Sequence, residues 1–171
     1  MKIRNIIITL VSAIALLISA STISFAKVVG DKIVLGAAVS LTGKYSSNGV
    51  HTQNGYNLAV ERINSMGGVK VGGKNYKFEI IYYDDESNSG RAAQLAERLI
   101  KQDGVQFMLG PYSSGLTKAM APVTEKYGIP MVEANGASRS LFTKGYKYLF
   151  AVLAPANLYL DVAITTAVEL N

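Results

Sequence analysis

Apolar positions along the chain change period several times, and those changes predict its elements. Lys32–Ser40 (KIVLGAAVS) is a compact apolar run rich in β-branched residues, the pattern of a buried strand. His51–Met66 then carries Tyr56, Ala59, Val60 and Ile63 at the spacing of one helix face, and Gly67-Gly68 stops it. Gly72-Gly73, between Lys70-Val71 and Lys74-Asn75, reads as a tight turn. Tyr76–Tyr83 is a second strand that ends at Asp84-Asp85. The next helix, Gly90–Gln102, places Ala92, Leu95, Ala96 and Leu99 on one side, and Val105–Leu109 is a third strand. Leu116, Met120, Val123 and Tyr127 form a third helical face, in which Pro122 is expected to kink the helix or end it early. Ile129–Glu133 and Tyr148–Leu153 are two further short strands, and Leu158–Leu170 begins another helix.

Strands alternating with helices at this spacing predict an α/β fold, a doubly wound parallel sheet covered on both faces. Right-handed crossovers put the strands' C-terminal ends on one edge, where open sheets bind ligands. Four segments follow those ends: Leu41–Gly49, Asp84–Ser89, Gly110–Gly115 and Ala134–Ser138.

The first 26 residues follow a different pattern. Lys2 and Arg4 precede an apolar run from Ile6 to Ile18, and a Ser-rich stretch ends at Ser24-Phe25-Ala26. A basic start, a short apolar core and a small-x-small end predict an export signal over residues 1–26, cut after Ala26. The run is too short for a spanning helix. The chain has 171 residues and a formal charge of +5, which falls to +3 without Lys2 and Arg4. That balance gives little ground for a nucleic-acid partner. The absence of Cys excludes disulfides, thiolate metal sites and a lipid anchor on an N-terminal Cys. The single His, His51, leaves one candidate base for a serine nucleophile, and Ser113 does not sit in a G-x-S-x-G elbow. An enzyme is not expected, nor a cofactor.

Three of the loops carry candidate chemistry. Gly110-Pro111-Tyr112-Ser113-Ser114-Gly115 runs straight into a helix, whose free N–H groups and dipole suit a carboxylate or phosphate; an ordinary N-cap fits the same residues. Glu133-Ala134-Asn135-Gly136-Ala137-Ser138 is small enough to admit a ligand to the backbone, with Asn135 as donor and acceptor, although Asn-Gly is also a common turn. Leu41–Gly49 (LTGKYSSNG) is a polar loop with one aromatic, suited to lining a small-molecule cleft or to no role at all. Gly68–Lys74 approaches a phosphate-binding loop but has Asn75 where Ser or Thr holds Mg²⁺, and Asp84-Asp85-Glu86 lacks the alternation of a calcium loop.

Taken in order, the leader, IVLGAAVSLTGKYSSNG, NGYNLAVERIN, IIYYDDES, GPYSSG, APVTEKYGIPMV and LFTKGYKYLF resemble the start of a periplasmic solute-binding protein of the leucine/isoleucine/valine-binding group. The resemblance implies a type I periplasmic-binding-protein-like fold, of which residues 27–155 are an N-terminal lobe and 156–171 the start of the crossover toward a second. It implies a soluble periplasmic component of an ABC transporter that binds an amino acid or similar small carboxylate and delivers it to a membrane permease. A ligand-sensing receptor domain and a gene fragment without independent function are the alternatives.

The same resemblance implies the site residues. Ser114, with Ser113 beside it, falls where the family grips the ligand carboxylate. Asn135, Gly136 and Ala137 fall on the second loop, where Ala137 replaces a usual hydroxyl residue and Ser138 is the neighbour able to substitute. Asn48 falls where an aromatic often packs on an aliphatic ligand, with Tyr45 nearby, and so counts against a purely branched-chain ligand. Members of the group are longer, so this chain is expected to be marginally stable and to bind amino acids weakly or not at all on its own.

Overall fold

A computed structural model describes residues 28–170; the predicted export signal lies outside them. The chain runs β1 (Val28–Val29), β2 (Lys32–Val39), α1 (Ser46–Ser65), β3 (Val69–Val71), β4 (Lys74–Asp84), α2 (Ser89–Lys101), β5 (Met108–Leu109), α3 (Ser114–Tyr127), β6 (Met131–Glu133), β7 (Leu149–Ala151) and α4 (Asp161–Glu169). Single 3-10 turns at Arg139–Leu141 and Ala156–Leu158 precede β7 and α4.

Five strands pair in parallel in the order β4-β2-β5-β6-β7. β1 and β3 add short antiparallel hairpins on β2 and β4. The β3–β4 turn is Gly72-Gly73, both at positive φ (57° and 84°), a conformation that costs glycine nothing. The first parallel strand, β2, lies between the second and the third. Crossovers of one hand therefore place α1 on one face of the sheet and α2 and α3 on the other. The chain changes direction between β2 and β5, and the loops that follow these two strands diverge around a crevice.

The core lies on the α2/α3 face. Val34 and Ala38 of β2, Met108 and Met131 meet Ala92, Leu95, Ala96 and Leu99 of α2 and Leu116, Met120 and Ala121 of α3. The predicted face of α2 is the buried one. Its N-cap, Asn88, accepts the Arg91 N–H at 2.9 Å and starts the helix cleanly. α1 lies more loosely on the opposite face, with only Gly49 and Thr52 buried and Ala59 exposed. Its C-terminal end is fixed differently. The Asn64 side chain donates to the Phe78 carbonyl and accepts the Phe78 N–H, both at 2.8 Å, so that it substitutes for a strand along the free edge of β4. Beyond the reach of α1, Ile33, Leu35, Phe78, Phe107, Leu109 and Val132 help line an apolar hollow of about 340 Å³.

Two expectations are corrected. α1 starts at Ser46 rather than His51, so Ser46–Gly49 are helix and only Leu41–Tyr45 form a loop. α3 runs through Pro122 to Tyr127 and is not cut short. Pro122 and Lys118, whose carbonyl loses its partner, both lie on the exposed side, where solvent replaces the missing bond. Buried Thr117 and Thr124 on the opposite side hold the helix to the core.

Candidate functional site

The crevice at the ends of β2 and β5 is a cavity of about 520 Å³ lined by Asn48, His51, Thr52, Gly55, Tyr56, Tyr112, Ala134 and Asn135. Its wall is built from three elements: the first half of α1, the loop after β5 and the loop after β6. Positions 48, 51, 52, 55 and 56 form one stripe of α1, the i, i+3, i+4, i+7 pattern.

The acidic run at the end of β4 fixes the loop after β2. One Asp84 oxygen accepts the N–H groups of Leu41 (2.9 Å), Thr42 (3.2 Å) and Glu86 (2.8 Å), and the other accepts the Thr42 hydroxyl at 2.7 Å. Asp85 accepts the Ser40 hydroxyl at 2.6 Å and the Ser87 N–H at 2.8 Å. These carboxylates hold backbone rather than face a cation. Among the described residues no group of three His, Cys, Asp or Glu side chains is placed to hold a metal ion.

The loop after β5 carries strain. Ser113 has φ 80° and ψ 147°, a region that side chains with a Cβ rarely occupy. Its hydroxyl accepts the Leu116 N–H at 3.4 Å, a long capping bond. The Ser114 hydroxyl accepts the Ser138 N–H at 3.0 Å, which leaves its own proton free to donate. With the unpaired N–H groups of the first turn of α3, it makes an edge suited to a small anion.

The loop after β6 is tied inward. Glu133 is fully buried, and one carboxylate oxygen accepts the N–H of Asn135 at 3.1 Å and that of Gly136. Its other oxygen has no partner. Burial pushes its carboxyl above the ordinary range against the lowering effect of these hydrogen bonds. A Cβ at Gly110 would lie 2.6 Å from the Glu133 Cβ and 2.8 Å from its Cα, so glycine is required there; one at Gly136 would lie 2.5 Å from a Glu133 oxygen and displace that carboxylate. The Tyr56 hydroxyl donates to the Gly110 carbonyl at 2.8 Å, and burial followed by the nearby Glu133 charge raises its pKa well above that of a free phenol.

The expected site residues thus occupy distinct places. Asn48 and Asn135 line the cavity, and the Asn135 amide donates to the Thr52 hydroxyl at 3.3 Å. Tyr45 stands behind it, its ring edge-on to Tyr112 at 5.5 Å. Ser113, Ser114 and Ser138 are not among the lining residues; the first two directly follow Tyr112, which is, and Ser138 is bonded to Ser114. Gly136 is packed under Glu133, and the Ala137 carbonyl accepts the Ala156 N–H at 2.8 Å, so neither turns a free group to the cavity from those atoms. His51, Thr52, Gly55, Tyr56, Tyr112 and Ala134 line the cavity too, beyond the residues expected from the sequence. A helix begun at Ser46 would have shown the stripe.

Three comparisons bear on this geometry. Residues 32–169 match the family described as periplasmic binding protein. The chain is 28% identical over 133 residues to the leucine-, isoleucine-, valine-, threonine- and alanine-binding protein of Pseudomonas aeruginosa, covering 78% of this chain and 34% of that one. Among solved structures it is similar to the branched-chain amino acid transporter substrate-binding protein LivJ of Streptococcus pneumoniae in complex with isoleucine (28% identity, TM-score 0.66, 78% of this chain and 39% of that one). It is also similar to a solute-binding protein of an ABC transporter from Rhodopseudomonas palustris BisB5 in complex with 3,4-dihydroxybenzoic acid (27% identity, TM-score 0.59, 71% and 31%). The match spans about a third of the length of these relatives. With the parallel sheet, the crevice at its change of direction and a family match over most of its length, the chain belongs to the periplasmic binding protein family.

Proposed function

We propose that this chain is the substrate-binding component of an ABC transporter for an amino acid or similar small carboxylate, without catalysis, and that it passes its ligand to a membrane permease. In this reading residues 1–26 direct export to the periplasm, residues 27–155 are one lobe of the binding protein, and residues 156–171 begin the crossover to a second. Ser114 and the first turn of α3 take the carboxylate, and Asn135, Asn48 and Tyr112 line the rest of the ligand. Tyr45 supports Tyr112, and Ser113, Gly136, Ala137 and Ser138 shape the two loops.

The observation that supports this most directly is the Ser138–Ser114 hydrogen bond. It joins the loops after β5 and β6 beside the cavity and leaves a hydroxyl proton and helix N–H groups available to an anion. The relatives' ligands are all small and, for isoleucine and dihydroxybenzoic acid, carboxylates. No helix among the described residues is long and apolar enough to cross a membrane.

NMR titration of the chain with glutamine and with its carboxyl-amidated analogue tests the reading. Glutamine is expected to shift the amides of Ser114 and Gly115, and the analogue to leave them in place. Equal shifts from both, or none from either, would remove the anion site.

A further inference from the structure

The cavity wall contains no aliphatic side chain larger than the methyl of Ala134. Its polar groups divide into two sets. The Thr52 hydroxyl donates to the Asn48 carbonyl at 2.9 Å and the Tyr56 hydroxyl to Gly110, so both have committed protons. The Asn48 carboxamide and the His51 imidazole, by contrast, make no hydrogen bond to another group of the described chain. They stand three residues apart on α1 and share the stripe that faces the cavity. Tyr112, braced by Tyr45, directly precedes the serine edge on the other wall.

We infer that the site selects a small carboxylate whose far end carries a hydrogen-bonding group, read by Asn48 and His51, and discriminates against a branched alkyl end. The inference rests on this cavity being the ligand site proposed above. With the carboxylate at the serine edge of α3, the remainder of the ligand passes Tyr112 toward the α1 stripe. A hydroxyl, carboxamide or second carboxylate arriving there replaces the water that Asn48 and His51 give up. A leucine or isoleucine side chain removes the same water and returns nothing, which leaves two polar groups unpaired. Sites built to bond a polar group reject the analogue that lacks it more strongly than apolar pockets reject an extra methyl. Tyr112 offers a flat face that accepts either a ring or a short chain.

The test is an NMR titration of the full chain with three probes: L-leucine, L-glutamine and 4-hydroxybenzoate. Glutamine or 4-hydroxybenzoate is expected to shift the amides of Asn48, His51 and Asn135 with a dissociation constant about tenfold or more below that of leucine, the scale of one hydrogen bond. The better of the two identifies a flexible or an aromatic ligand. The double variant N48L/H51L is expected to invert the order, with leucine binding at least as tightly as either polar probe. Both positions are exposed, so the fold is retained, and circular dichroism checks it. Leucine binding as tightly as the polar probes to the unaltered chain overturns the inference and leaves the binding role standing. An unchanged order of preference in the folded double variant also overturns it. Failure of all three probes at millimolar concentration also overturns the inference.

Discussion

The Ser138 N–H donates to the Ser114 hydroxyl at 3.0 Å across 24 residues of sequence, so the loops after β5 and β6 share one oxygen. Ser114→Ala removes that oxygen and the hydroxyl proton available to a ligand. Stability is expected to fall by about 1 kcal/mol, one hydrogen bond, in urea denaturation. The ligand-induced shifts at Gly115 are expected to disappear. Ser114→Thr, which keeps the hydroxyl, should retain both.

Ser113 supplies an opposite case. It caps α3 weakly, with a 3.4 Å bond, and is held at φ 80°. Ser113→Gly loses the cap, worth a few tenths of a kcal/mol in that exchange, and relieves strain of about 1–3 kcal/mol. The melting temperature is expected to rise. A fall would show that the capping bond outweighs the backbone strain.

These two serines also show what could be read without coordinates. The GPYSSG loop at the end of a strand located the helix start, because a Gly-Pro break followed by hydroxyl residues has few other uses. The sheet was equally legible, since β2 is an apolar run buried continuously from Gly36 to Val39 and α2 buries one regular face. The start of α1 was not. SSNG resembles a turn but opens the helix, and position 49 is glycine because a Cβ there would collide with the Ser40 carbonyl oxygen. That five-residue error hid the continuation of the cavity stripe from Asn48 to His51, Thr52, Gly55 and Tyr56. The role of Glu133 was hidden as well, because its burial and its contact with Thr117 are set by tertiary packing, although the N–H groups of Asn135 and Gly136 that it accepts are local.

The buried carboxylates set the sign of the pH response. Burial raises the pKa of Glu133 above the ordinary 4.5 and that of Asp85 above 3.8, each against its own hydrogen bonds. A raised carboxyl binds its proton more tightly in the folded state, so stability falls as pH rises from the unfolded value through the folded one. Asp84 works in the other direction. Burial would raise its pKa, but the Thr42 hydroxyl and three backbone N–H groups outweigh it and hold it below 3.8; its contribution is lost as pH falls through the folded value. The melting temperature is therefore expected to peak on the acid side of neutrality, above the range in which Asp84 titrates. Glu133→Gln should flatten the fall toward pH 7. A peak unmoved by Glu133→Gln would assign the slope to other groups.

Asn64 tests whether α1 is held by its end rather than its face. Its side chain makes two 2.8 Å bonds to the Phe78 backbone, while most of the helix is at least partly exposed. Asn64→Ala leaves the N–H and carbonyl of Phe78 to solvent and is expected to cost about 1–3 kcal/mol, at the upper end of what surface helix positions cost. Amide exchange should show the loss concentrated in the last turns of α1. An Ala59→Ser control on the exposed side should stay within about 0.5 kcal/mol.

The apolar hollow on the α1 side of the sheet gives the last prediction. Phe107 and Val132 remain 41% and 39% exposed there, beside Ile33 and Leu35, and nothing polar interrupts the patch. Helix α4 is exposed along its whole length as well, with Val162, Ile164 and Val168 in solvent. Exposed apolar patches of this kind associate or bind hydrophobic dyes. The chain is expected to bind anilinonaphthalene sulfonate at neutral pH while retaining its near-ultraviolet dichroism, which separates a folded protein with an open face from a molten one. Phe107→Ser with Val132→Thr should cut the dye signal by about half and change stability by no more than ~1 kcal/mol, because each side chain is already partly hydrated. A dye signal that survives the double substitution but falls with Val162→Ser and Val168→Ser would assign the sticky surface to α4 instead of the sheet.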